Sequence, residues 1–252
     1  MDKTRQMIFD MCVKAKTGHL SSSFSCVEIL EVLYESIMKH DPKKPEWEER
    51  DRFILSKGQA SPALYVTLAR QGYFQESDLD LFAQKGGRFG VHLQNDIEGV
   101  EMTCGSLGMG FGFASGIALG LKLQRKNNMV YCLLGDGECY EGSIWETAMF
   151  VSHNRLNNLV TILDRNSLCA TNFTESLVAL EPLKDKFEAF GFNVRCIDGH
   201  DKVLIKQKLE EARNRYNVKP MMIICYTTKG KGYEPFCFNP LTHGTAPKEE
   251  DC

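Results

Sequence analysis

The chain has 252 residues and a net charge of −3, with 30 Lys and Arg set against 33 Asp and Glu. That length buries a sizeable core within one large domain. Mixed charges with no basic, aromatic-interleaved patch exclude a nucleic-acid binder. No apolar run approaches the roughly twenty residues of a membrane span, because glycines and a serine interrupt even Leu107–Leu121.

The ten cysteines are isolated and form no C-x-x-C pair. Reduced, buried thiols in a cytoplasmic protein suit this pattern better than disulfides or a metal cluster. The N-terminal MDKTRQMIFDMCVK is polar and amphipathic, so a helix is expected over residues 2–16 and no signal peptide. Gly18-His19-Leu20-Ser21-Ser22-Ser23 reads as a loop into a second helix, about Ser25 to Lys39.

Arg52 to Ser56 predicts a strand, followed by the turn Lys57-Gly58-Gln59-Ala60, a helix to Arg70 and a short helix over 76–84. A long Gly-rich loop, 86–106, carries Phe89-Gly90-Val91-His92, and loops of that length in compact domains are usually functional. A helix is then expected from about Ser106 to Lys126. Gly108, Gly112, Gly116 and Gly120 recur along one face of it. Glycine in a helix interior costs about 1 kcal/mol against alanine, so the stripe predicts close approach of another backbone, such as one from a partner chain.

Met129 to Leu134 reads as a buried parallel strand that breaks on Gly135-Asp136-Gly137. A helix from Gly142 to His153 and a strand from Leu159 to Leu163 follow, ending in Asp164-Arg165-Asn166. Two parallel strands joined by one helix finish at the same sheet edge, so Asp136 and Asn166 should emerge together where open α/β sheets bind ligands. A carboxylate, an amide oxygen and a backbone carbonyl beyond Asn166 make a hard oxygen set. That set suits Mg²⁺ carrying phosphate oxygens. The helix at Gly142 is expected to aim its positive end at the same place. A turn Asp and a capping Asn without metal remain the plain alternative.

Beyond this stretch the pattern predicts a helix near Leu180–Phe190, a strand at Asn193–Ile197, a helix at Lys202–Tyr216 and a strand at Met221–Tyr226. The alternation argues an α/β, doubly wound, mostly parallel sheet flanked by helices. It reads as one domain over residues 1–252, with an N-terminal helical extension and a loop-like tail from Gly230 that holds His243-Gly244.

The pattern GDG-x-x-x-EG followed by NLV-x-x-x-D-x-N resembles the thiamine diphosphate motif of the transketolase group. The resemblance implies the thiamine diphosphate-binding fold of the diphosphate type, with Mg²⁺ held by Asp136, Asn166 and the Leu168 carbonyl. It implies cofactor contacts from Gln59, Gly105, Leu107, Gly135, Asp136, Gly137, Asn166 and His243. Glu141 matches a glutamate that meets its counterpart across the contact between chains. His19 in AKTGHLSSS, His92 in RFGVHL and His243 in THGTAP match catalytic positions of the same pattern, and imidazole suits proton transfer near neutral pH. His40, His153 and His200 read as structural.

Two positions depart from the family. Gln59 stands where a histidine is usual, and Met109 follows SLG where glutamine is favoured. Glutamine donates a hydrogen bond but exchanges no proton at pH 7. The chain also covers only the diphosphate-binding part of a complete transketolase. The resemblance therefore implies a partner chain carrying the pyrimidine-binding and C-terminal domains, in a heterotetramer with two copies of each chain. The implied activity is transfer of a two-carbon ketol unit from a ketose or ketose phosphate to an aldehyde. Decarboxylation of a 2-oxo acid, a deoxyxylulose phosphate synthase-like reaction and a degenerate regulatory role stay open as alternatives.

Overall fold

The computed structural model of the chain describes residues 1–214 and 218–247. Five strands form one sheet: β1 (Arg52–Leu55), β2 (Val130–Gly135), β3 (Leu159–Arg165), β4 (Asn193–Asp198) and β5 (Met221–Tyr226). Their order is β1-β2-β3-β5-β4, and every pairing is parallel. The sheet is therefore wholly parallel among the described residues.

Continuous apolar strands arise because both faces are covered. Along β2, Tyr131 and Leu133 face one core, which includes helices α1 (Lys3–Ala15), α2 (Leu20–Phe24), α3 (Val27–Val32), α4 (Ser61–Gln71) and α9 (Lys202–Arg213). Val130, Cys132 and Leu134 face the other, beneath α5 (Met109–Leu123), α6 (Gly142–His153) and α8 (Leu183–Ala189). Helices on both faces make the sheet doubly wound. A further short helix, α7 (Thr174–Leu177), falls in a polar stretch with no helical periodicity to announce it.

The second expected helix is broken. Ser25 turns its hydroxyl to Asp164 Oδ2 at 2.6 Å, and Cys26 leaves helical geometry at φ −115°, ψ 14°. Serine side chains that bond elsewhere compete with the helix in this way. A five-residue π-turn, Leu33–Ile37, then ends the segment short of Lys39. The expected helix to Tyr216 closes at Arg213 within the described residues, and residues 215–217 and 248–252 lie outside them.

The glycine stripe divides in two. Gly108 precedes α5 at φ +81°, and a Cβ there would sit 2.2 Å from Ser143 Oγ and 2.8 Å from Glu141 Cβ. Only glycine suits both that backbone and that contact. Apart from their own helix backbone, Gly116 and Gly120 have no atom of the described residues within 4 Å of an added Cβ. In place of the close backbone expected along the whole stripe, side chains of α6 and its lead-in turn lie close at one end, with open surface at the other.

Candidate functional site

A cavity of about 300 Å³ opens at the carboxyl edge of β1, β2 and β3. Gly135 pairs with Asp164 across β2 and β3, so the next residues of both strands leave the sheet side by side. Asp136, 1% exposed, accepts the Gly137 N–H on Oδ1 at 2.8 Å. Its Oδ2 accepts the Ser167 N–H at 2.6 Å and Arg165 Nη1 at 2.9 Å. Burial, with Asp164 nearby, pushes the Asp136 carboxyl upward against the pull of Arg165.

Asn166 is oriented by its neighbours. Its amide nitrogen donates to Asp164 Oδ2 at 3.2 Å, and its oxygen accepts the Leu168 N–H at 3.1 Å. Ser167 between them adopts φ +68°, which turns the chain so that Asp136, Asn166 and Leu168 all line the cavity.

Beneath them lies a buried ion pair. Lys57 and Asp164 are 1% and 0% exposed and hydrogen-bond directly. Asp164 also accepts the Thr227 hydroxyl. Burial opposes both charges, but the partnership holds Asp164 below the ordinary carboxylate range and Lys57 above the ordinary lysine range.

A second buried lysine faces the oxygens. Lys229 Nζ donates to Cys169 O at 2.9 Å and Leu168 O at 3.4 Å, and approaches His243 Nδ1 at 3.0 Å. Burial, together with Lys57, lowers its pKa to about 8. His19 centres a group of three imidazoles, 5.5 Å from His92 and 5.2 Å from His243 by ring centroids. Burial, then His92 and Lys229, lowers His19 to about 4. Its Nδ1 is buried and without a partner among the described residues.

Gln59, Gly105, Leu107, Gly135 and Gly137 line the same cavity. A Cβ on Gly137 would press to 3.0 Å from Cys169 Cβ, a tight contact that glycine avoids. Of the expected residues, Glu141 alone stands apart. It is exposed at the N-cap of α6, and neither it nor Gly142 lines the cavity. A 3₁₀ turn, Gly137–Tyr140, separates the strand end from α6. The expected positive helix end is thereby set back, and the Lys229 ammonium supplies positive charge instead.

Sequence reasoning missed Lys229 and Glu138. Lys229 lies just past β5, at the sheet edge where strand order alone expects a ligand, so its position was available as a signal. Glu138, 1% exposed, accepts the Ser56 hydroxyl, the Gly108 N–H at 2.7 Å and the Gly135 N–H at 3.1 Å. It thereby ties the ends of β1 and β2 to the start of α5.

A doubly wound parallel sheet whose strand ends frame an oxygen-lined pocket under a buried ammonium defines an α/β domain for an anionic cofactor or substrate. The family model for the transketolase thiamine diphosphate binding domain matches residues 1–252. The chain is 42% identical over 229 residues to the 6-deoxy-6-sulfo-D-fructose transketolase subunit SqwG of a Clostridium species, covering 90% of this chain and 83% of that protein. It is 37% identical over 231 residues to an apulose-4-phosphate transketolase subunit of Phocaeicola vulgatus, covering 92% and 82%. The crystal structure of Campylobacter jejuni transketolase superposes with a TM-score of 0.93 at 34% identity, over 98% of this chain and 40% of that one. The chain belongs to the transketolase family and is built on its thiamine diphosphate binding domain.

Proposed function

We propose that the chain is the diphosphate-binding subunit of a two-chain transketolase-like transferase, moving a two-carbon ketol unit from a ketose to an aldehyde. The observation that carries this is the gathering of Asp136, Asn166, Leu168 and Lys229, all buried side chains, around one cavity at the sheet edge. The relatives named as subunits are of similar length to this chain, which covers 83% and 82% of them. The single-chain Campylobacter enzyme is matched over only 40%. The rest of the catalytic apparatus is assigned to a second chain.

The oxygens fit Mg²⁺. No group of three or more His, Cys, Asp or Glu side chains gathers at metal distance among the described residues. One carboxylate, one amide and one carbonyl instead suit a hard ion that keeps phosphate and water ligands. Asp136 Oδ2 is saturated by two donors, whereas Oδ1 carries one, so Oδ1 would hold the metal beside Asn166 Oδ1 and Leu168 O. When bound, thiamine diphosphate supplies the thiazolium that stabilises the carbanion left by C–C cleavage.

The chain's own groups do the rest. Lys229 neutralises diphosphate charge by charge-assisted hydrogen bonds. Gln59 offers a fixed amide donor, and the Gly137 backbone leaves room for the diphosphate. His19 and His243 remain neutral through the physiological range; His19 offers one donor and one acceptor to substrate oxygens, whereas His243, whose Nδ1 faces Lys229, offers its Nε2–H donor. His92 stands exposed at the rim.

Assembly is assigned to the face of α5 and α6. Met109, Phe113, Met149 and Phe150 are 41–55% exposed there, with Glu141 and the open Gly116 and Gly120 beside them. A patch of this kind marks an interface, and the assembly it supports is a tetramer of two chains of each type. Among the described residues no helix is long and apolar enough to cross a membrane, and the described cysteines are free, as a cytoplasmic enzyme requires. Ketose phosphate and aldehyde offered to the purified chain with and without its partner test the reading. Turnover only in the presence of both chains is expected; consumption of a 2-oxo acid instead would replace ketol transfer by decarboxylation.

A further inference from the structure

The loop that carries Lys229 is pinned on every side. The Thr227 hydroxyl donates to Asp164, the Thr227 N–H donates to Arg165 O at 3.1 Å, and the Gly230 N–H donates to Ser21 O at 3.0 Å. These bonds join the loop to elements that frame the cavity. The fourth does not. The Thr228 N–H donates to His200 Nε2 at 2.8 Å, and His200 belongs to the turn between β4 and α9, outside the cavity lining.

That bond fixes the state of the imidazole. Because Nε2 accepts, it carries no proton, and the ring proton sits on Nδ1 and is donated to Glu28 Oε2 at 3.0 Å. Glu28 is itself held by Arg5 Nη2 at 2.8 Å, and Arg5 by Asp2 at 2.7 Å and Phe24 O at 2.9 Å. Burial raises the Glu28 carboxyl, yet the His200 and Arg5 hydrogen bonds outweigh it and bring the carboxyl to about 2. The turn sits hard against the loop: a Cβ on Gly199 would lie 2.4 Å from Thr227 Cγ2 and 2.9 Å from Cys225 Cβ.

We propose that His200 is a positioning residue for the cofactor site, acting through the Thr228 N–H to set the Lys229 ammonium against the diphosphate. This rests on the reading of Lys229 given above. Two-sided bonding is the reason for a histidine: a neutral ring accepts at one nitrogen while donating at the other, at a fixed spacing. Removing the acceptor leaves a partly buried N–H unpaired and frees the residue just before Lys229 to shift. His200 itself touches nothing in the cavity.

Two substitutions separate the functions of the two ring nitrogens. His200→Asn keeps a short polar group near Glu28 but reaches only the Nδ1 position. His200→Gln extends an amide oxygen to the Nε2 position and can accept from Thr228. In the assembled enzyme with its partner chain, H200N is expected to raise the KM for thiamine diphosphate roughly tenfold, the scale of one lost buried hydrogen bond. Its kcat at saturating cofactor stays within about twofold, and H200Q brings the KM back to within about threefold of the parent. An unchanged KM in H200N, a loss of kcat alone, or equal losses in both variants would overturn the proposal. Lys229→Met is the control: an unchanged KM there sinks the cofactor reading itself, whereas a raised KM beside an unaffected H200N sinks only the role of His200. Nitrogen-15 imidazole signals from the full chain supply a check that needs no variant. A proton on Nδ1 of His200 is expected, and a proton on Nε2 contradicts the assignment.

Discussion

Lys229 Nζ lies 3.0 Å from His243 Nδ1. An ammonium has no lone pair, so the imidazole nitrogen accepts and His243 is neutral with its proton on Nε2. Burial, then Lys229, pushes the His243 pKa down to about 3. The pair thus presents a cation and an oriented N–H donor to the cavity, both fixed before any ligand arrives, and electrostatic preorganisation of this kind needs no rearrangement on binding.

Removing that cation should weaken cofactor binding far more than folding. Lys229→Met is expected to raise the dissociation constant for thiamine diphosphate by about 10- to 100-fold, the range for charge-assisted hydrogen bonds of about 1.5–3 kcal/mol. The melting temperature should hold or rise, because burial of an ammonium whose pKa has dropped to about 8 is costly to the folded state. Calorimetric titration of the assembled enzyme and a thermal melt of the chain measure the two effects separately.

The pair beneath the cavity behaves oppositely. Asp164→Asn leaves Lys57 buried at 1% exposure without its carboxylate, and is expected to cost about 3–5 kcal/mol of stability. Adding Lys57→Met to Asp164→Asn should recover a large part of that loss, since the unpaired charge is then gone. Urea unfolding of the single and double variants gives the comparison.

The neutral imidazoles make stability depend on pH. His19 and His243 have folded pKa values of about 4 and about 3, below the ordinary 6.5. The unfolded chain therefore takes up protons first as pH falls, so stability is full above 6.5 and declines from 6.5 down to about 4 for His19 and about 3 for His243. His19→Asn should flatten the slope of melting temperature against pH across that window. A slope unchanged by the substitution would count against a buried, neutral His19.

The open half of the glycine stripe predicts a variant that folds but does not assemble. At Gly116 an added Cβ has no described atom beyond its own helix backbone within 4 Å, and Gly116→Leu replaces glycine by a better helix former, a gain of up to about 1 kcal/mol. Its melting temperature should not fall, while sedimentation of the mixture with the partner chain should show lost or weakened assembly. Normal assembly would place the interface elsewhere.

The central strands are legible in the sequence as short apolar runs, and Met221–Tyr226 is the same segment in sequence and structure, whereas the edge strand β4 alternates polar and apolar residues. Parallel strand order alone also brings Asp136 and Asn166 together. Helix ends are harder to read. Ser25 breaks its helix to reach Asp164, a contact 139 residues away that no local pattern shows. The same limit hides Glu138, whose role depends on which loops the fold brings together, whereas the place of Lys229 just past β5 was open to strand order alone. His200 reads as a turn residue because both of its partners, Glu28 and Thr228, are distant in sequence.

Asp136→Ala tests the central claim most directly. In the assembled enzyme, titrated with thiamine diphosphate at saturating Mg²⁺, the account predicts loss of measurable cofactor binding, while the melting temperature of the chain shows that it still folds. Cofactor affinity equal to the parent's, with the same dependence on Mg²⁺, would contradict the account.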